Sequence, residues 1–402
     1  MMLSLFPARS QPLPAFLPRR AFRYALILLA ALGVPPGAAL AGGDDWLVST
    51  HTCPGANRTD ALHRDDDGTL WVGCGTAATG YGLSMSEDGG ATWQDAPVTP
   101  TDKLDKFRVN SISRGVDGHL KIAGFEATTK EMVLSLDTAA APFAVTPVLV
   151  GVNQVGRQFH VGTYREKSLG NGFNNAIAES LNGVDMLLRG SGNTSTSAAN
   201  WFLNQPPSQM LDVVVHDRRF WGCGSSISEP PQLFLPPQDQ LASLPFDIAQ
   251  PTLNNAWEGE LWGLAVNDAR LVATGVDQDK DIGKILVSGP NPRNMNGYTE
   301  HSMSVIYGNP GANTWGRGVC MHGNRVIVVG ERQPLGSRTG LVFASSDGGQ
   351  RFLDITPTNV GASVSKCVIA PDGTLFVAGS GGFVGVLLDE PEIFADGFDL
   401  IQ

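Results

Sequence analysis

The densest run of chemically capable side chains is Asp277-Gln278-Asp279-Lys280-Asp281-Ile282-Gly283, whose alternating carboxylates are the hard oxygen ligands that Ca²⁺ prefers. The spacing falls short of a D-x-D-x-D-G loop. Its glycine comes one position late, Lys280 adds opposing charge, and position twelve is Ser288 instead of a bidentate Glu. A solvated hairpin loop is the expectation, and no metal or other cofactor is called for. The seven histidines, at 51, 63, 119, 160, 216, 301 and 322, form no H-E-x-x-H or other metal spacing. A nucleophile elbow, a P-loop and a dinucleotide fingerprint are all missing from the chain. Five cysteines, Cys53, Cys74, Cys223, Cys320 and Cys367, contain no C-x-x-C pair and must leave one over. A Cys53–Cys74 disulfide is the candidate, because it would tie the start of the mature chain to the first repeat. Buried free thiols are the alternative.

The oxidising compartment that such a bond needs is suggested by the first segment. Arg19, Arg20 and Arg23 precede an apolar run from Ala25 to Val34, and Ala39-Leu40-Ala41 supplies small residues for a peptidase. Residues 1–41 are therefore expected to be a signal peptide, since a run of about ten apolar residues is half of the roughly twenty that cross a bilayer. No later segment approaches that length, so no membrane span is expected after processing. Arg19-Arg20-Ala21-Phe22 also resembles a twin-arginine export motif, leaving the general secretory and twin-arginine routes both open. Residues 1–41 carry four arginines and no acid, so their removal shifts the formal charge from −11 to −15. Phosphate backbones and anionic membrane surfaces would be repelled, which excludes nucleic acid as a partner class. The product is expected to be periplasmic or secreted, and monomeric.

The elements that would position any site come from an internal repeat. A turn of Asp, Gly or Asn, an apolar run and then small residues recur as Asp67-Gly68-Thr69-Leu70-Trp71-Val72-Gly73 and Asp117-Gly118-His119-Leu120-Lys121-Ile122-Ala123. Further copies have apolar anchors at Phe159, Phe220, Leu271, Val326 and Leu375, so six steps cover 305 residues at a mean period of about 51. Each copy reads as a hairpin, and a second apolar run about ten residues later completes a four-stranded blade. A sheet apolar on both faces cannot stand alone, so neighbouring blades must stack around an axis. The expected fold is all-β: a single β-propeller over 42–388, with seven four-stranded antiparallel blades (six or eight as alternatives) and a short acidic tail over 389–402. The Pro-rich span 229–245 and the polar span 190–200 read as inserted surface loops. Strand Trp46-Leu47-Val48-Ser49-Thr50 is expected to pair into the last blade, hiding an edge.

At Ser86-Glu87-Asp88-Gly89-Gly90-Ala91-Thr92-Trp93 the chain shows S-x-D-x-G-x-T-W, with a second copy at Ser345-Ser346-Asp347-Gly348-Gly349-Gln350-Arg351-Phe352. Both resemble the Asp-box, or BNR repeat, of sialidase-like propellers. Ser135-Leu136-Asp137 with Phe143 resembles a decayed third copy. The resemblance implies a structural role for Ser86, Asp88, Gly90, Thr92 and Trp93, and for Ser345, Asp347, Gly349 and Phe352. In that family the motif joins the third and fourth strands, away from the central channel. The carboxylate accepts backbone N–H groups, the glycine supplies a left-handed turn and the aromatic ring covers the hairpin.

Catalytic residues do not carry over. Phe107-Arg108-Val109-Asn110 only faintly matches the family's F-R-I-P signature and lies in the second repeat, and Tyr298 with Glu300 lacks the expected arginine surroundings. The sequence points away from catalysis, toward a binding or assembly scaffold for a protein, peptide or glycan. A secreted glycoside hydrolase of sialidase-like type is the alternative.

Overall fold

The computed structural model describes residues 39–40, 46–49, 59–75, 80–105, 107–114, 118–126, 131–150, 159–165, 172–179, 185–191, 201–204, 209–216, 219–225, 230–236, 247–253, 257–333, 337–361 and 363–387. Among them the strands form seven sheets, mostly four-stranded and antiparallel. In chain order, sheet I comprises Thr59–Arg64, Leu70–Gly75, Gly80–Ser86 and Gln94–Asp95, and sheet II comprises Arg108–Arg114, Leu120–Phe125, Glu131–Asp137 and Phe143–Val150. Val98–Thr99 adds a parallel fifth strand to sheet II. Sheet III comprises Phe159–Arg165, Gly172–Glu179, Asp185–Ser191 and Trp201–Asn204, and sheet IV comprises Gln209–His216, Arg219–Ser225, Gln232–Leu235 and Asp247–Ala249. Sheet V comprises Gly259–Val266, Leu271–Asp277, Ile282–Val287 and Thr299–Ser302, and sheet VI comprises Thr314–His322, Arg325–Arg332, Thr339–Ser345 and Leu353–Asp354. Sheet VII comprises Val364–Ile369, Leu375–Gly379 and Phe383–Leu387, beside which Trp46–Ser49 and Ala39–Leu40 lie as outer strands.

The alternation in the second strands explains how these sheets stack. In sheet I, Trp71 packs toward Phe107, Val109 and Ile122 of sheet II, while its neighbours Leu70 and Val72 pack toward Phe376, Val384 and Val386 of sheet VII. In sheet VII, Leu375 and Val377 meet Ile327, Val329 and Val342 of sheet VI, whereas Phe376 and Ala378 face sheet I. With both faces apolar, every such sheet needs a neighbour on each side, and at roughly 25 cal/mol per Å² this shared burial is the main stabilising term. First strands touch in succession from sheet I through sheet VII, and Val364–Ile369 of sheet VII in turn touches Thr59–Arg64 of sheet I.

A repeated backbone device lets the first strands come this close. In six sheets the first strand carries a β-bulge at the same repeat position, opposite the third and fourth residues after the anchor of the second strand. The extra residues are Asp60, Asn110, Leu211, Trp262, Arg317 and Ser365. Five of the second strands have glycine across from the bulge, Gly124, Gly224, Gly275, Gly330 and Gly379, and a Cβ at Gly124, Gly275, Gly330 or Gly379 would lie 1.8–2.2 Å from a carbonyl oxygen on or just before the first strand. The bulge and the glycine are thus one unit, and the small residues that end each sequence repeat exist for it.

The structure corrects three expectations. Phe159 opens the first strand of sheet III and not its second, which is Gly172–Glu179, so the anchor there was set one strand early. The Pro-rich span is not all loop: Gln232–Leu235 is a buried third strand bounded by prolines, which lack only a donor and are tolerated at strand ends. Ser135-Leu136-Asp137 is not an Asp-box. Ser86 and Ser345 stand opposite the anchors Leu70 and Val326, but Leu136 occupies that place opposite Leu120, so Ser135 is one residue early and bonds Lys121 Nζ at 2.8 Å instead.

Two of the five cysteines are joined as Cys320–Cys367, between the first strands of sheets VI and VII, a pairing the sequence reading did not single out. Cys74 is also disulfide-bonded, and its expected partner Cys53 lies outside the described residues, as do the signal segment up to residue 38 and the tail. Cys223 is free and buried.

Gly275→Ala is expected to lower stability by about 2–3 kcal/mol, because the carbonyl of Glu260 must yield to the new methyl. Gly311→Ala, whose Cβ would meet only Asn309 Oδ1 at an ordinary 3.9 Å, is expected to change stability by less than about 0.5 kcal/mol. Urea unfolding of both variants checks the pair, and equal midpoints would remove the bulge–glycine unit from the account.

Candidate functional site

Because strand directions alternate, the turns between first and second strands and those between third and fourth strands share one end of the stack. The Asp-boxes are at that end. Ser86 Oγ donates to Asp88 Oδ1 at 2.8 Å, Gly90 N donates to Ser86 Oγ at 2.9 Å, and Thr92 N donates to Asp88 Oδ1 at 2.8 Å. The second copy repeats this: Ser345 Oγ to Asp347 Oδ1 and Gly349 N to Ser345 Oγ are both 2.8 Å, and Arg351 N reaches Asp347 Oδ1 at 3.0 Å. Burial alone would raise Asp88's carboxyl, but the bonds from Thr92 and Ser86 outweigh it and hold it below its ordinary value. Gly90 and Gly349 both have φ +91°, and each lies against a third-strand valine of the preceding sheet, Val386 and Val287 respectively. Phe352 and Trp93 pack on those same apolar layers. These carboxylates are spent on turn N–H groups and offer nothing to a reaction.

A second acidic centre at this end is also structural. Asp65 is buried and accepts from Trp71 Nε1 at 2.7 Å, His63 Nε2 at 3.0 Å and Arg114 Nε at 2.9 Å, with Arg114 Nη2 on its other oxygen. Burial would raise this carboxyl; His63, Arg114 and Trp71 together hold it well below the usual range. Arg114 belongs to sheet II, so Asp65 clamps sheets I and II together.

The Tyr298 and Glu300 pair sits on the outermost strand of sheet V. Tyr298 donates its hydroxyl to Pro292 O at 2.7 Å, and burial pushes its ionisation up. Glu300 accepts from Trp257 Nε1 at 3.2 Å and forms an ion pair with Lys284. In the acidic loop, Lys280 Nζ pairs with Asp277 Oδ2 at 3.2 Å. Among the described residues no group of three or more His, Cys, Asp or Glu is placed to hold a metal ion.

The opposite end, where the first strands begin, holds a cluster that sequence reasoning missed. Arg317, the bulged residue of sheet VI, lies over two indoles: its guanidinium carbon is 4.9 Å from the ring centroid of Trp262, the bulged residue of sheet V, and 4.7 Å from that of Trp315. Its Nη2 donates to Glu331 Oε1 at 2.7 Å, and the same oxygen accepts from Gln333 Nε2 at 3.1 Å and faces Arg338 Nη1 at 3.6 Å. Burial would raise Glu331's carboxyl, but the charge and hydrogen bond of Arg317, with help from Ser363 and Arg338, hold it below its ordinary value. The indole N–H groups of Trp262 and Trp315 are both buried without an acceptor. The signal available in the sequence was Thr314-Trp315-Gly316-Arg317-Gly318, a first strand whose alternate residues are large and polar-tipped where its neighbours are glycine.

No family model matches the chain, and no curated protein matches it. Solved structures do resemble it. An α-L-arabinofuranosidase from Fusarium graminearum is 11% identical with a TM-score of 0.42, covering 87% of this chain and 98% of its own. The six-bladed β-propeller lectin of Aleuria aurantia is 9% identical with a TM-score of 0.41, covering 78% of this chain and 97% of its own. The WD40 domain of SCAP from fission yeast is 7% identical with a TM-score of 0.41, covering 88% of this chain and 97% of its own. At these values the likeness carries nothing about ligand or chemistry.

Asp65→Ala is expected to destabilise the protein by about 2 kcal/mol or more, short of the 3–5 for a fully buried pair because Arg114 and His63 are partly exposed. The depressed carboxyl means that this contribution is present above the unfolded value near pH 4 and is lost as pH falls below it. The gap between thermal melts of the two proteins should therefore hold from pH 7 to about pH 4 and begin to narrow on further acidification to pH 3. A constant gap would contradict the clamp.

Proposed function

We propose that the mature chain is an exported, monomeric, seven-bladed propeller of the Asp-box type that acts as a non-catalytic binding scaffold, with a glycan as its ligand. The observation that carries the reading is the Trp262–Arg317–Trp315 stack on the innermost strands, at the end away from the Asp-boxes. Indole faces and fixed polar groups at a shared mouth suit a sugar ring, which offers apolar C–H faces and a rim of hydroxyls.

The rest of the reading draws on the fold. Seven sheets, their contacts running from the first round to the seventh, and Trp46–Ser49 paired with Phe383–Leu387 support one ring closed by the N-terminal strand. Cleavage after Ala41 would remove Ala39–Leu40 and leave sheet VII with four strands like most of its neighbours. The Cys320–Cys367 bond supports an oxidising compartment. The glycoside hydrolase alternative needs two carboxylates or a Tyr/Glu pair beside the substrate, and Tyr298 and Glu300 are occupied by neighbours at the outer edge of sheet V.

Glycan-array binding beside a screen of aryl glycosides, sialosides included, tests the proposal. Retention of one or more glycans without turnover is expected. Release of aryl alcohol by the purified protein, whether or not it survives Arg317→Ala, would overturn the non-catalytic reading, and an array with no retained glycan would overturn the ligand class.

A further inference from the structure

Glu331 orders a second side chain at this mouth besides Arg317. Its Oε1 accepts from Gln333 Nε2 at 3.1 Å as well as from Arg317 Nη2 at 2.7 Å, so the amide and the guanidinium lie side by side on one carboxylate oxygen. Burial works against ionisation there, but Arg317 outweighs it and keeps the carboxyl below its ordinary value, and an ionised carboxylate only accepts. An amide has a donor end and an acceptor end. Turned the other way, Gln333 would set its own oxygen against that of Glu331. Its nitrogen is therefore locked toward Glu331 and its Oε1 away from it, where Oε1 meets no donor among the described residues. The backbone is fixed as well, because Gln333 N donates to Asn313 O at 2.9 Å. A held donor, Arg317, thus stands beside a held acceptor, Gln333.

Resting on the reading of this end as a glycan-binding face, we propose that Gln333 is its specificity-determining residue and that it selects a neutral sugar: of two adjacent ring hydroxyls, one accepts from the Arg317 guanidinium and the other donates to Gln333 Oε1. A hydroxyl both gives and takes a hydrogen bond, so a neighbouring pair matches a donor set beside an acceptor. A carboxylate or sulfate only takes, and would set a lone pair against Gln333 Oε1. Charge points the same way. The turn after Asp277 docks at this end, where Thr314 N donates to Asp281 O at 2.9 Å, and it presents exposed Asp279 and Asp281. Those carboxylates, on a chain of formal charge −11, oppose an anion and leave a neutral ring unaffected. Arg317 is partly accessible and Gln333 partly exposed, so a ligand can reach both. Glu331 is the positioning residue that holds the two polarities in place.

Tryptophan-fluorescence titrations with cellotetraose, mannotetraose, galactotetraose and tetragalacturonate at low and high salt test the sugar class. Forms of the tightest neutral probe that lack one hydroxyl at a time test the residue. Expected is binding of at least one neutral probe, insensitive to salt and tighter than that of tetragalacturonate, with two adjacent hydroxyls whose removal each costs about tenfold or more. Gln333→Met keeps the length of the side chain and removes the acceptor. In that variant affinity is expected to fall about tenfold, one of the two deletions then costing nothing further and the other keeping its penalty. Tetragalacturonate binding tighter than galactotetraose, and weakening with salt, would overturn the neutral class while leaving the glycan reading intact. Wild-type binding indifferent to every hydroxyl, a readout that needs no folded variant, would overturn the Gln333 assignment, as would wild-type penalties in Gln333→Met. If none of the four probes binds, the glycan array decides: neutral glycans retained by the wild type and lost by Gln333→Met support the proposal, retention unchanged in the variant or of acidic glycans alone overturns it, and an empty array takes the glycan reading down with it.

Discussion

A four-stranded sheet that is apolar on both faces has no stable existence in water unless another sheet covers each side, and the rest of this molecule follows from that requirement. Leu70 and Val72 turn one way and Trp71 the other, and the same alternation recurs in Leu375, Phe376 and Val377. A row of such sheets would always leave two greasy outer faces. Here the face of sheet VII that a row would expose is covered by Leu62, Leu70 and Val72 of sheet I, so the first and last sheets share an apolar layer of the same make as the others. The disulfide between Cys320 and Cys367 adds a covalent tie across one of these layers. With 47 residues between its ends it contributes about 4 kcal/mol in the chain-entropy account.

Successive sheets touch through their first strands, which crowds those strands, and the crowding is resolved in the backbone. A Cβ at Gly263 would lie 2.6 Å from Gly318 Cα, and one at Gly318 would lie 2.5 Å from Ser365 O, so sheets V, VI and VII meet almost backbone to backbone. At the junction of sheets VII and I, Ser365 donates its hydroxyl to Thr59 O. In six of the sheets the bulge at these contacts turns one residue out of register. That residue is free to differ between sheets, which makes the bulged position the natural place for a function to be written on an otherwise repeated scaffold.

The second strands were legible in the sequence because their signature combines a positive-φ turn with an apolar run, and both parts are local. Gly68, Gly118, Gly323 and Gly373 all take the left-handed conformation that the repeated turn demands. Sheet III escaped because its second strand, though preceded by Gly170-Asn171 in the sequence, carries Asn174-Asn175 where the others have an apolar run, and the stronger run at Phe159 belongs to the other member of the hairpin. The Asp-boxes were legible for the same reason as the turns: eight contiguous residues contain the whole hydrogen-bond set. The Trp262–Arg317–Trp315 cluster was not, since Trp262 and Arg317 are 55 residues apart in sequence and become neighbours only when sheet V stacks on sheet VI. Glu331 belongs to no sequence motif, and only burial beside Arg317 gives it a role.

The two ends of the stack have divided their labour by how they use carboxylates. At the Asp-box end, Asp65, Asp88 and Asp347 accept from main-chain N–H groups, an indole, a histidine and an arginine that hold neighbouring turns in place, so their charge is consumed by the fold. At the other end Glu331 also takes an arginine, which comes from the adjacent strand of the same sheet. The pair holds that cation over two aromatic faces at the rim of the first strands, one of them Trp262 of sheet V, while Ser363 bonds Glu331 from beside sheet VII. A buried ion pair seldom adds net stability, because the desolvation of two charges offsets most of their attraction. Set beside two indole donors lacking acceptors, this pair adds little to the fold for its cost, which accords with the recognition role proposed for this end.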